Sequence, residues 1–139
     1  MTEQKNKILV IVAHPNYETI GMGGTISKLL NEGDSVDVVS MTDGVSSRAK
    51  SSSLEIEERA KSAPEILGFR WFKQLNFPGN AVDTVALIDI IKEVELGKEE
   101  LCPDVISTHS AADLNVDHCI NPRINEQINE IIHYEIFPK

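Results

Sequence analysis

The run Lys7 to Ala13, KILVIVA, restricts the fold more than any other stretch of the chain. Every residue after Lys7 is apolar and most are β-branched. A strand with one solvated face alternates apolar and polar residues. A strand without alternation is covered on both faces, the situation of a parallel sheet lying between two layers of helix. The segment is therefore expected to be the central strand of an α/β domain.

The rest of the chain fits that frame. Residues from about Ile20 to Asn31 place Ile26, Leu29 and Leu30 at helical spacing, and Gly33 supplies a stop. SVDVVSM, Ser35 to Met41, reads as a second strand. LEIEERAKSAPEILG then sets Ile56, Ala60, Ala63 and Leu67 on one helical face, with a kink or break expected at Pro64, whose ring removes a hydrogen bond and clashes with the preceding turn. RWFKQL, Arg70 to Leu75, reads as a short strand, FPGN as a turn, Val85 to Leu96 as an amphipathic helix, DVISTH as a fourth strand, and roughly Pro122 to His133 as a last helix. Strands alternating with helices imply right-handed crossovers and a Rossmann-like, mostly parallel sheet with helices on both faces.

At 139 residues the chain is read as one domain over 1–139. Acids exceed bases by 22 to 13, which argues against a nucleic-acid partner because few cations are present to displace counterions from phosphates. Cys102 and Cys119 form no CxxC pair or disulfide framework, so a cytoplasmic location with free thiols is expected. ILVIVA is too short to span a membrane and runs into His14 and Pro15. Gly21, Gly23 and Gly24 fail the dinucleotide-binding spacing because Ile26 occupies its last place, so they are read as small residues that let helix and strand pack closely.

Ligands of open parallel sheets bind beyond the carboxyl ends of the strands. His14 follows the first strand, Asp43 the second, and the segment His109 to His118 the fourth. Two histidines on loops that the topology brings together, with Asp113 and Asp117 beside the second, suit zinc, whose catalytic sites take three protein ligands and keep one position open. Hydrolysis of an amide or ester follows from that chemistry.

These motifs give the whole chain a resemblance to the LmbE-like, or PIG-L, family of zinc-dependent N-deacetylases. The family opens with a strand, AHPDDE and a GxGG helix start, where this chain has AHPNYE and GMGG. It continues with a TDG loop, here MTDGVSSR, then a helix ending in ILG, here EERAKSAPEILG, and in one branch TH followed by DLNxDH, here THSAADLNVDH. The resemblance implies that His14 and His118 are zinc ligands. It places the general base at Asn16 and the third ligand at Tyr17, where the family has two aspartates. Glu18 matches the acid after that pair, Asp117 the acid before the second ligand histidine, and Arg48 a substrate-binding arginine. Asn115 stands where many relatives have a histidine that stabilises the tetrahedral intermediate. Arg48, Asp113 and Asn115 form the expected substrate-binding set, and Asn16 with Asp117 the expected catalytic set.

The implied function is deacetylation of N-acetylglucosamine-like sugars or conjugates. Asn16 and Tyr17 are expected to impair it. An amide does not titrate, and general base catalysis contributes about 10²–10⁴-fold. Glycine stands in FPGN where relatives often have aspartate, and the chain ends at YEIFPK, where relatives usually continue, so the domain reads as C-terminally short. Two readings stay open: a metal-dependent deacetylase with an altered, weakly zinc-binding site, and a non-catalytic sugar- or partner-binding protein on the same scaffold. A homo-oligomer is compatible with both.

Overall fold

The computed structural model describes residues 5–15, 17–43, 61–110, 114–115, 117–120 and 133–135, together with Glu58, Ala112 and Arg123. The side chains of Tyr17 and of residues 133–135 lie outside the described set, as do Asn16, Arg48, Asp113 and the SSRAKSSS tract. The strands are β1 (Lys7–Val12), β2 (Ser35–Thr42), β3 (Arg70–Phe77), β4 (Val105–Thr108) and β5 (His133–Glu135). They form one sheet in the order β3-β2-β1-β4-β5, with every pairing parallel. The lateral order grows one way from β1 and then reverses, so the topological switch point lies between β1 and β4.

β1 is central and its residues separate by parity. Leu9 and Ile11 join Val39, Met41 and Ile106 in one core, while Ile8, Val10 and Val12 join Val36 and Val38 in the other. That is the two-sided burial implied by the unbroken apolar run. Helix α1 (Tyr17–Asn31) buries Met22 and Ile26 in the second core, where Ala63 of the helical stretch 61–67, α2, also packs. On the opposite face α3 (Leu87–Leu101) buries Ile90 and Val94 in the first core. Asp37 of β2 is almost fully buried and pairs with Arg70 of β3, its neighbour in the strand register. The hydrogen bond and charge of Asp37 raise the pKa of the Arg70 guanidinium further above its ordinary value.

Chain reversals follow local chemistry. At the end of α1 the Gly33 N–H donates to the Leu30 carbonyl and the Asp34 N–H to that of Leu29, with Gly33 at φ 93°, which is the Schellman arrangement. α3 closes on Cys102 in the left-handed region at φ 47°, its N–H bonded to the Lys98 carbonyl.

Several expectations change. Residues 61–67 stay helical through Pro64, so no break occurs among them; the carbonyl that a residue at this position would ordinarily bond belongs to residue 60, outside the described set. β3 reaches Phe77, and α3 runs from Leu87 to Leu101, later at both ends than its apolar spacing suggests. Most of the expected last helix lies outside the described residues; His133, at its end, lies in a fifth strand, and among the described residues helical structure after β4 is first met at Asp117. Three residues are too few to show a period, so β5 leaves no pattern in the sequence.

The close-packing reading of Gly23 and Gly24 also needs correction. A Cβ on Gly24 would meet nothing within 4 Å, and one on Gly23 would meet Leu67 at an ordinary contact distance of 3.8 Å. Gly33 differs, because a Cβ there would lie 2.8 Å from the Lys5 side chain on a backbone that L side chains rarely adopt. Gly24→Ala is therefore expected to stabilise the fold by about 0.5–1 kcal/mol through helix propensity. Gly33→Ala is expected to destabilise it by about 1 kcal/mol or more. Urea unfolding of both variants checks this pair, and equal shifts of one sign would contradict it.

Candidate functional site

The carboxyl ends of β1, β2 and β4 are joined by hydroxyl side chains. The Thr42 N–H and Oγ1–H both donate to the Ala13 carbonyl, at 3.1 and 2.9 Å, and Thr108 Oγ1 donates to the Ile11 carbonyl at 2.9 Å. These buried hydroxyls satisfy carbonyls at the end of the ladder without bringing charge into the core. They also fix the backbone from which the next residue, His14, departs.

After β4 the chain passes through His109 and Ser110, both buried, into the DLNVDH segment. Asn115 builds the turn that follows. Its side-chain oxygen accepts the Asp117 N–H at 2.9 Å, and its main-chain carbonyl accepts the N–H groups of His118 and Cys119 at 3.1 Å each. This is N-cap geometry, in which a polar side chain takes an otherwise orphaned N–H of the first turn. It places Asp117 in that turn, where a carboxylate is favoured by the helix dipole.

Asp117 is fully buried and gathers three segments. Its Oδ1 accepts the Val82 N–H at 3.0 Å, and its Oδ2 accepts the N–H of Asn80 and stands 2.8 Å from Nε2 of His14. Asn80 closes the FPGN turn at φ 57°, in the left-handed region that asparagine tolerates better than most residues. With Nε2–H donated to the carboxylate, the neutral His14 ring carries its lone pair on Nδ1. Nε2 of His118 lies 3.4 Å from that Nδ1, and the two rings are tilted by 57° with centroids 5.3 Å apart.

The structure thus brings together His14, Asp117, His118 and Asn115 from the set expected from sequence. Asn16, Arg48 and Asp113 lie outside the described residues, and for Tyr17 only the backbone, which opens α1, is described. Glu18, in the first turn of the same helix, is fully buried and accepts a hydrogen bond from Thr19 Oγ1 at 3.3 Å.

His109 belongs to this cluster although the sequence reading assigned it no role. Its Nε2 accepts the Ala13 N–H at 3.0 Å, and its ring stacks on His118 with centroids 4.0 Å apart and planes 12° from parallel. The TH that ends β4 is the signal that could have found it. Asn115 as a cap was likewise legible, since asparagine is a preferred first residue ahead of a helical turn.

Two zinc–nitrogen bonds of about 2.0–2.1 Å at a tetrahedral angle set their nitrogens about 3.4 Å apart, so the facing nitrogens of His14 and His118 have the separation of a ligand pair. A carboxylate bonded to the far nitrogen of a histidine is the usual support for such a ligand. Among the described residues, no group of three His, Cys, Asp or Glu side chains is arranged to hold a metal. No helix of the described residues is long and apolar enough to cross a membrane.

Comparisons with known proteins bear on the family and the fold. The profile of the PIG-L family, described as GlcNAc-PI de-N-acetylase, matches residues 9–129. No curated protein matches the sequence significantly. Among solved structures, the conserved protein TT1542 of Thermus thermophilus is 25% identical with a TM-score of 0.73, covering 87% of this chain and 54% of its own. The N,N'-diacetylchitobiose deacetylase of Pyrococcus horikoshii, solved with an inhibitor, is 23% identical with a TM-score of 0.76, covering 88% and 48%. GalB of Pseudomonas putida, a 4-carboxy-2-hydroxymuconate hydratase, is 19% identical with a TM-score of 0.68, covering 87% and 55%. The chain spans about half the length of these structures.

The Asp117 network makes a direct prediction. Asp117→Ala leaves two backbone N–H groups and the His14 ring without their acceptor, and is expected to cost about 3 kcal/mol or more at about 1–3 kcal/mol for each buried donor left unpaired. Asp117→Asn keeps one acceptor oxygen and should cost less. Urea unfolding gives the size, and amide exchange gives the place: Asn80 and Val82 should lose protection in the alanine variant. Unchanged exchange at both would contradict the network.

Proposed function

The chain belongs to the PIG-L family, and from that membership we propose that it is built for zinc-dependent N-deacetylation of N-acetylglucosamine-like sugars or conjugates, at a site weakened by Asn16 and Tyr17. The observation that carries the reading is the His14–His118 pair, with facing nitrogens 3.4 Å apart and Asp117 bonded to the far side of His14. Zinc held there would supply Lewis-acid polarisation of the acetamide carbonyl and acidify the attacking water.

The chain's own residues do the remainder. Asp117 keeps the proton of His14 on Nε2, so that Nδ1 is presented as a donor atom, and this orienting part suits it better than the role of base, since its two oxygens already accept from His14, Asn80 and Val82. Asn115 caps the turn and so fixes where His118 stands. Arg48 and Asp113 are assigned to the sugar. Asn16 occupies the position of the general base; it can hydrogen-bond a water but cannot take its proton. Tyr17 occupies the position of the third ligand, where a neutral phenol is a poorer donor than a carboxylate. The products of the reaction are a free amine and acetate.

The same two residues favour a second reading, in which the scaffold binds an acetylated sugar without turning it over. Zinc titration and an amine-release assay on N-acetylated amino sugars separate the two. The unaltered protein is expected to hold zinc weakly and substoichiometrically. Tyr17→Asp alone should raise occupancy without much turnover, and Asn16→Asp alone should change little. Both together should restore tight binding and raise amine release by about 10²–10⁴-fold. A double variant that binds zinc and still releases no amine supports the binding-protein reading. Unaltered protein turning over at about 1–10³ per second would overturn this account of Asn16 and Tyr17.

A further inference from the structure

We propose that His109 is a positioning residue for the His14–His118 pair, holding with its edge the Ala13 backbone from which His14 departs and with its face the ring of His118. The inference rests on the zinc reading of that pair.

The edge contact fixes the chemistry of the ring. The Ala13 N–H can only donate, so Nε2 of His109 is an acceptor and the neutral ring carries its proton on Nδ1. Ala13 lies directly before His14, and its carbonyl is already held twice by Thr42. With His109 on the N–H, both polar groups of Ala13 are bonded, and the chain enters His14 from a backbone that cannot rotate freely. Asp117 fixes the other end of the same side chain, at Nε2.

The face contact acts on His118. Its ring lies between His109, nearly parallel at 4.0 Å, and His14, tilted by 57° at 5.3 Å. A flat ring stacked so closely leaves the imidazole of His118 little room to flip or tilt, and the direction of its Nε2 is what the pair depends on. One buried residue therefore restrains two side chains that the sequence separates by 104 positions.

A purely structural part, capping the end of β1, is the competing explanation, and two substitutions separate the contacts. His109→Phe keeps a flat ring but cannot accept the Ala13 N–H. His109→Gln keeps an acceptor oxygen but loses the ring. The readouts are zinc and cobalt affinity by chelator competition, the visible spectrum of the cobalt adduct, amide exchange at Ala13, and the tautomer of His109 by nitrogen-15 NMR of the metal-free protein.

The unaltered ring is expected to be protonated on Nδ1, with Ala13 protected from exchange. His109→Phe should expose the Ala13 amide, whereas His109→Gln should keep it protected. Each should weaken metal binding by about tenfold and shift the cobalt spectrum, as loss of a supporting contact to a ligand does. If both variants bind metal as the unaltered protein does while His118→Ala abolishes binding, His109 is a strand cap only and the proposal fails alone. If His118→Ala leaves binding unchanged, the zinc reading fails and the proposal with it. Should neither His109 variant fold, NMR of the metal-free protein decides: a His109 ring protonated on Nε2, or a His118 ring that reorients freely, overturns the clamp, and a His109 ring protonated on Nδ1 beside a rigid His118 ring upholds it.

Discussion

The Asp117 carboxylate takes hydrogen bonds from three residues in two distant parts of the chain: His14 after β1, and Asn80 and Val82, which lie two residues apart in the turn after β3 and the short 3-10 helix beyond it. The carboxylate is fully buried, where an unpaired charge would be very costly, so these partners are a condition of its being there. The same bonds turn His14 so that its second nitrogen faces His118. A single buried acid therefore closes the fold at the open end of the sheet and sets the geometry of the candidate site.

Around that acid, the histidines are held from several directions. Asn115 caps the turn that carries Asp117 and His118, while Thr42 and His109 bond the two polar groups of the Ala13 peptide. Few of these contacts reach solvent, and most of the groups are neutral. Such an arrangement is stiff at little electrostatic cost, which suits a site whose ligands have to be in place before anything binds. By contrast, α1 opens at Tyr17, where the proposed assignment sets a phenol in place of a carboxylate. On the proposed assignment the support is present while two of the groups it would serve depart from the family's pattern.

Fold and chemistry separate cleanly in this family of shapes. A deacetylase and a hydratase both superpose on the chain over most of its length. The shared architecture brings loops after β1 and β4 to one crevice and says little about which bond is attacked there. That decision rests with individual side chains, and on the proposed assignment with Asn16 and Tyr17.

The sequence by itself determined the two-sided burial of β1, the parallel class of the sheet, the Gly33 stop of α1 and the candidacy of His14 and His118, because each is written in a local pattern: an unbroken apolar run, a period, a left-handed glycine, a histidine just past a strand. Only the tertiary structure decided that Asp117 faces His14 and that His109 spans both loops. Those facts depend on contacts between residues a hundred positions apart, and no periodicity carries such distances. The run through Pro64 and the short β5 belong to the same class. In each the outcome is set by what packs or pairs against the segment, which local propensity does not contain.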